Sequence, residues 1–208
     1  MNEAIAIMYE WRKMTPEERT EALERRQARR HPWHKPPHEG IGEHSYHLSA
    51  ACYEHRPVIG ASPRRIEEFE ADLLETIQPY QIEIYAWSIL PNHYHLLVRT
   101  DRMKALIAAI GKLHGRKSYA WNQEENCRGR QVWSGCIERR IRSGRHFWAT
   151  LNYVHNNPVR HGYVRKWVDW PYSSAGIYLD KLGRKEAERI WKEYPLLDYG
   201  KGWDDPDL

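Results

Sequence analysis

Cysteine is scarce in this chain: Cys52, Cys127 and Cys136 stand far apart among 208 residues. Three thiols so placed exclude a disulfide framework and a thiolate zinc site, and they point to a reducing compartment, with the cytoplasm as the expectation. No uninterrupted apolar run is long enough to span a bilayer, so no membrane association is expected. The short apolar patch from Ile5 to Met8 is flanked by Glu3 and Glu10, and no small-residue cleavage site follows it, so no export is implied. Nor is the chain poor in apolar residues: at 41% hydrophobic and 29% charged it is not a disordered polymer.

What is present suits one domain of ordinary size with its own core, plus extensions at its ends. The formal net charge is only +4, but the basic residues are clustered, and ten tryptophans with thirteen tyrosines supply many flat surfaces on which unpaired bases can stack. That combination fits a nucleic-acid partner.

Thr15-Pro16-Glu17-Glu18 reads as a helix start, with a threonine N-cap, proline at the first helical position and glutamate three residues after the cap. A helix to about Arg30 follows, and Arg25, Arg26, Arg29 and Arg30 give its far end a basic face. Residues 31–42, rich in proline, glycine and histidine, read as an irregular linker. An extended strand is expected from Ser45 to Val58. Ser62-Pro63 then caps a helix whose apolar positions Ile66, Phe69, Leu73 and Ile77 keep helical spacing. Ile82 to Leu90 and His93 to Val98 form two strands punctuated by Pro91-Asn92, which predicts a β-hairpin.

Met103 to Asn122 predicts an amphipathic helix whose outer side carries Lys112, Arg116 and Lys117. Val132 to Ile141 reads as a strand, and Arg145 to Asn157 as a helix that ends near Pro158, because proline disfavours the helical conformation of the residue before it. The order βα, ββ, α, β, α, with no repeated βαβ unit, predicts an α+β protein with a mainly antiparallel sheet and helices laid on it.

His93 and His95 lie two apart on a strand, so their imidazoles project from one face and can reach one ion. Among twelve histidines, on the order of one such pair arises by chance, so its weight comes from its place at the start of a strand, just after a turn. Tyr153 and Asn157, four apart on a helix, share a face, so one helix can present a nucleophile and a ligand. Two imidazoles and one amide oxygen leave coordination positions open for a phosphate and suit Mg²⁺ or Mn²⁺ better than structural zinc. A phenol with a pKa near 10 is a weak nucleophile at neutral pH unless its proton is taken and the phosphorus polarised.

Trp87-Ser88-Ile89-Leu90-Pro91-Asn92-His93-Tyr94-His95-Leu96-Leu97-Val98 resembles the strand, turn and strand of the REP-associated tyrosine transposases, a branch of the single-tyrosine HUH transposases. Tyr153-Val154-His155-Asn156-Asn157-Pro158-Val159-Arg160-His161-Gly162 resembles their tyrosine helix, and Trp170-Pro171-Tyr172-Ser173-Ser174 is a further match. The resemblance runs from about His44 to Tyr178. It implies a ferredoxin-like catalytic domain over 43–180, between a basic helical extension and linker over 1–42 and a C-terminal tail over 181–208. It also implies His93, His95 and Asn157 as metal ligands, Tyr153 as the nucleophile, and cleavage and strand transfer of single-stranded DNA beside repetitive extragenic palindromic hairpins through a phosphotyrosine link. Arg25, Arg26, Arg29, Arg30, Lys112, Arg116, Lys117 and Arg160 are the candidates for phosphate contact.

Three alternatives stay open at this level: a hairpin-binding protein of the same fold that does not cut, a metal-dependent hydrolase using water with Tyr153 structural, and a nucleophile at Tyr119. Monomer and homodimer are both compatible with the sequence.

Overall fold

The structure is a computed structural model, and it describes residues 44–201 together with Thr15 and Glu17. The basic helix end with Arg25, Arg26, Arg29 and Arg30, and the linker after it, lie outside the described residues.

Four strands, β1 (Ser45–Cys52), β2 (Glu83–Ile89), β3 (His93–Arg99) and β4 (Trp133–Arg140), form one antiparallel sheet in the order β2-β3-β1-β4. Two helices interrupt them: α1 (Pro63–Ile77) joins β1 to β2, and α2 (Met103–Glu124) joins β3 to β4. A βαββαβ chain in this order is a ferredoxin-like fold. A third helix, α3 (Gly144–Arg160), follows β4, and α4 (Ala175–Leu182) and α5 (Arg184–Glu193) come after it among the described residues.

Alternation along the strands divides the interior in two. Leu48, Trp87, Ile89, Tyr94, Leu96 and Val98 pack with the α1 residues Ile66, Phe69, Leu73 and Ile77 and the α2 residues Leu106, Ile110 and Leu113. Ala86 and Leu97 pack instead with Phe147, Leu151, Tyr153 and Val154 of α3, joined by Tyr178 of α4 and Ala187 of α5. The sheet therefore has α1 and α2 on one face and α3 on the other.

The expected start of α1 is present: the Ser62 hydroxyl accepts from Arg65 N at 3.2 Å, with Pro63 in the first helical turn. The first strand is shorter than its pattern, stopping at Cys52 where the chain turns through a 3-10 segment, Tyr53–His55, with Glu54 and His55 at positive φ. The helix expected to end near Pro158 instead runs through it to Arg160. Proline removes one N–H, but His161 N donates to Asn157 O at 3.1 Å and Tyr163 N to Pro158 O at 2.9 Å, so the last turn still closes. The tail from 181, to which the sequence reading assigns no element, contains α5 and packs against α3. Among the described residues no helix is long and apolar enough to cross a membrane.

Candidate active site

His93 opens β3 directly after the Pro91-Asn92 turn, and that turn is pinned from three sides. Gly60 N donates to Pro91 O at 2.8 Å, Cys52 N to Asn92 O at 2.7 Å, and the Asn92 amide to His55 O at 3.2 Å. Gly60 lies so close to Pro91 that a Cβ there would overlap the proline ring, so the approach requires glycine. The Asn92 carboxamide oxygen stands 2.7 Å from His93 Nδ1. An amide oxygen only accepts, so that contact places the His93 proton on Nδ1 and leaves the lone pair on Nε2.

His93 Nε2 faces Asn157 Oδ1 at 2.9 Å, so β3 and α3 meet at this contact. His95, one alternation further along β3, lies with its ring centroid 5.0 Å from that of His93 and 5.2 Å from that of Tyr153. Tyr153 sits one helical turn before Asn157. The cap of α3, where Ser143 Oγ accepts from His146 N at 3.1 Å, starts the helix that turns both residues toward the sheet. Arg160, two turns after Tyr153, holds its guanidinium carbon 5.9 Å from the centre of the Tyr153 ring. Four of the residues singled out in the sequence, His93, His95, Tyr153 and Asn157, are thus brought together, with Arg160 beside them.

The donor set fits a divalent cation. Two lone pairs, on His93 Nε2 and Asn157 Oδ1, point at each other across 2.9 Å, while the amide nitrogen of Asn157 is buried without a hydrogen-bond partner. Among the described residues no three His, Cys, Asp or Glu side chains gather as an ion site, so the ligands available here are two imidazoles and an amide, a mixed nitrogen and oxygen set.

Other candidates lie elsewhere. Lys112, Arg116 and Lys117 are on α2, across the sheet from His93 and Tyr153, and Lys117 is ion-paired with Asp72 of α1. Tyr119 is also on α2 and is 71% exposed, on the face opposite the two histidines. That placement removes it as a partner of this site.

Several neighbours had no signal in the sequence reading. His47 of β1 approaches His95, with Nε2 at 3.1 Å from His95 Nδ1, and His161 lies edge-on to His93 with ring centroids 4.9 Å apart. His155, between Tyr153 and Asn157 in sequence, turns to the other side of α3 and bonds Ser174 Oγ at 2.9 Å; burial pushes its imidazole down to about 3, so it is neutral there. Tyr153 is 1% exposed because the C-terminal segment covers it. Tyr199 lies edge-on to it at 5.6 Å, and a Cβ at Gly200 would overlap its ring. Side chains of α3 hold that segment: Asn152 Nδ2 donates to Tyr194 O at 2.8 Å, and the Tyr199 hydroxyl meets Thr150 Oγ1 and, at 3.1 Å, His146 Nε2.

Residues 41–157 match the family model described as transposase IS200 like. Over 134 residues the chain is 34% identical to a Haemophilus influenzae protein assigned as a REP-associated tyrosine transposase, a match covering 57% of this chain and 76% of that protein. It is 28% identical over 98 residues to the REP-associated tyrosine transposase of Escherichia coli, covering 44% of this chain and 53% of that one. The solved structure of a REP-associated tyrosine transposase bound to a REP hairpin shares its fold, with a TM-score of 0.55 and 18% identity over 74% of this chain and 90% of the other.

Proposed function

The chain belongs to the transposase IS200-like family and is a transposase, and from that premise we propose that it cuts and rejoins single-stranded DNA beside repetitive extragenic palindromic hairpins through a covalent phosphotyrosine link. One observation carries this reading: two imidazoles from one strand meet, on one face of the sheet, an amide and a phenol that stand a single turn apart on α3. The relatives named for REP sequences, and the fold shared with a protein bound to a REP hairpin, support hairpin DNA as the partner.

In this reading His93, His95 and Asn157 hold Mg²⁺ or Mn²⁺. When bound, the ion supplies polarisation and orientation of the scissile phosphate. Tyr153 Oη attacks phosphorus as the P–O bond to the leaving fragment breaks, and the phenol proton is balanced by the one taken up by the leaving oxygen, which is released as a hydroxyl. Attack of a hydroxyl on the phosphotyrosine reverses the exchange and joins strands, so bond energy is conserved. Arg160, with its cation near the phenol ring, favours the developing phenolate and is the candidate in this site for contact with the phosphate. Because Tyr153 is enclosed by Tyr199 and Gly200, DNA reaches it only when the segment from 195 to 201 moves away.

The same enclosure favours one competing reading, a hairpin-binding protein that does not cut. Incubation with labelled hairpin-bearing single-stranded DNA and Mn²⁺, followed by a denaturing gel, separates the two. A covalent protein-DNA band in the wild type that is abolished by Tyr153→Phe is the expected result. Strand cutting that survives Tyr153→Phe would show that water is the nucleophile. Tight binding with neither band nor cutting would leave the binding protein.

A further inference from the structure

The two candidate ligand histidines on β3 share a feature: each has its Nδ1 occupied by a neighbour. For His93 the neighbour is the Asn92 amide oxygen at 2.7 Å; for His95 it is His47 Nε2 at 3.1 Å. His47 reaches that position through strand register. Ser49 pairs with His95 and His47 with Leu97, so His47 and His95 are diagonal neighbours on the α3 face of the sheet. Their ring centroids are 5.1 Å apart, and His47 is 1% exposed, enclosed under the Tyr153 ring at 5.7 Å.

We propose that His47 is a positioning residue for the active site: it accepts a hydrogen bond from His95 Nδ1–H, and so holds that ring in the tautomer whose lone pair is on Nε2. Only one proton can lie between the two nitrogens. If His47 Nε2 donated it, His95 Nδ1 would carry the lone pair and be consumed by His47, leaving Nε2–H, which cannot ligate an ion. If His95 donates, the lone pair lies on Nε2, the nitrogen remote from His47, which is the form that an ion ligand needs. An orienting partner on the second nitrogen also fixes the ring and raises the basicity of the first. The inference rests on the reading of His95 as an ion ligand, and it adds His47 as the group that prepares it.

The test uses the full-length, DNA-free protein and Mn²⁺ alone, with free Mn²⁺ followed by electron paramagnetic resonance for the wild type and for His47→Leu, His47→Gln and His95→Ala. His47→Leu removes the acceptor and should weaken Mn²⁺ binding roughly 10- to 100-fold, whereas His47→Gln, whose amide oxygen can accept near the position of Nε2, should stay within about threefold of wild type. Long-range ¹H–¹⁵N correlation spectra of the metal-free wild type should show His95 protonated at Nδ1. Wild-type affinity in His47→Leu, or His95 protonated at Nε2, overturns the inference. Should His47→Leu not fold, the His47→Gln affinity and the wild-type tautomer decide it, and a Gln variant as weak as His95→Ala counts against it. Loss of binding in His95→Ala with retention in His47→Leu sinks the role of His47 alone; equal binding in wild type and His95→Ala sinks the ion site itself.

Discussion

β1 and β3 turn alternate residues to opposite faces of one sheet, and the two faces are filled with different chemistry. Toward α1 and α2 they present Leu48, Ala50, Tyr94, Leu96 and Val98, closed over by Phe69, Trp121 and Trp133 in a set of tilted aromatic contacts. Toward α3 they present His47, His93 and His95, all buried, facing Asn157 and Tyr153. Apolar groups gain stability by leaving water, whereas imidazoles and amides gain none unless every polar atom finds a partner. The first face is thus where the fold is stabilised, and the second is where burial is retained for what the side chains can bind and do.

The difference can be broken most forcefully from the apolar side. Phe69 is fully buried, with ring contacts to Tyr94, Trp121 and Trp133 between 5.4 and 5.8 Å. Phe69→Ala should destabilise the protein by about 3–5 kcal/mol through lost transfer energy and the cavity left behind. Chemical denaturation measures this. The rate of adduct formation per folded molecule should stay at the wild-type value; a parallel loss of rate would mean that the two faces are not separable.

His114 is one of the buried polar groups on the apolar face, with Glu70 and Asn122, and it tests the same division by pH. Its ring stacks on Trp133 at 3.8 Å and its Nε2 shares a hydrogen bond with the Tyr94 hydroxyl at 3.0 Å. Burial lowers its imidazole from 6.5 to about 4, so the unfolded chain takes up a proton that the folded one refuses. The resulting stability is present above pH 6.5 and is lost as the pH falls from 6.5 toward 4. The full shift corresponds to about 3 kcal/mol. His114→Gln should therefore lose less stability than the wild type between neutral pH and pH 4.5, a difference readable from denaturation midpoints at the two pH values. Equal losses would place the acid sensitivity in other groups.

How far each face could be read in advance follows from how local its determinants are. The hairpin carrying His93 and His95 was legible because a proline and an asparagine interrupt two apolar strands within a few residues. The shared face of Tyr153 and Asn157 was legible because helical periodicity fixes it within one turn. The Ser62 cap was legible for the same reason. His47 beside His95 was not, since it depends on a register joining residues 48 apart, and no property of Ser45–Cys52 specifies its neighbour. The far-side position of Lys112, Arg116 and Lys117 follows from both crossover helices landing on one face, a property of topology and not of their own helix. Pro158 misled because the rule against the helical conformation before proline is a preference, and the bonds from His161 and Tyr163 outweigh it. Least legible was the cover over Tyr153, in which a tyrosine and a glycine some 49 residues beyond Thr150 close the helix face that the motif describes.

That cover gives the smallest of the expected effects and the sharpest contrast between the faces. Gly200 is in the left-handed region at φ +76°, and a Cβ there would meet the Tyr153 ring. Gly200→Ala therefore opposes closure twice, through backbone strain of about 1 kcal/mol and through contact with the ring. If closure withholds Tyr153 from DNA, a closed state weakened by about 1–2 kcal/mol should form the protein-DNA adduct about 5–30 times faster, even though the substitution destabilises the fold. On the α1 and α2 face no substitution should raise activity while lowering stability. Single-turnover adduct kinetics on Gly200→Ala, with a chain ending at Tyr194 as the fully open limit, make the measurement. A slower rate in both variants would mean that the segment from 195 to 201 supports Tyr153 in its working position, and that the enclosed tyrosine is already in the arrangement that cuts.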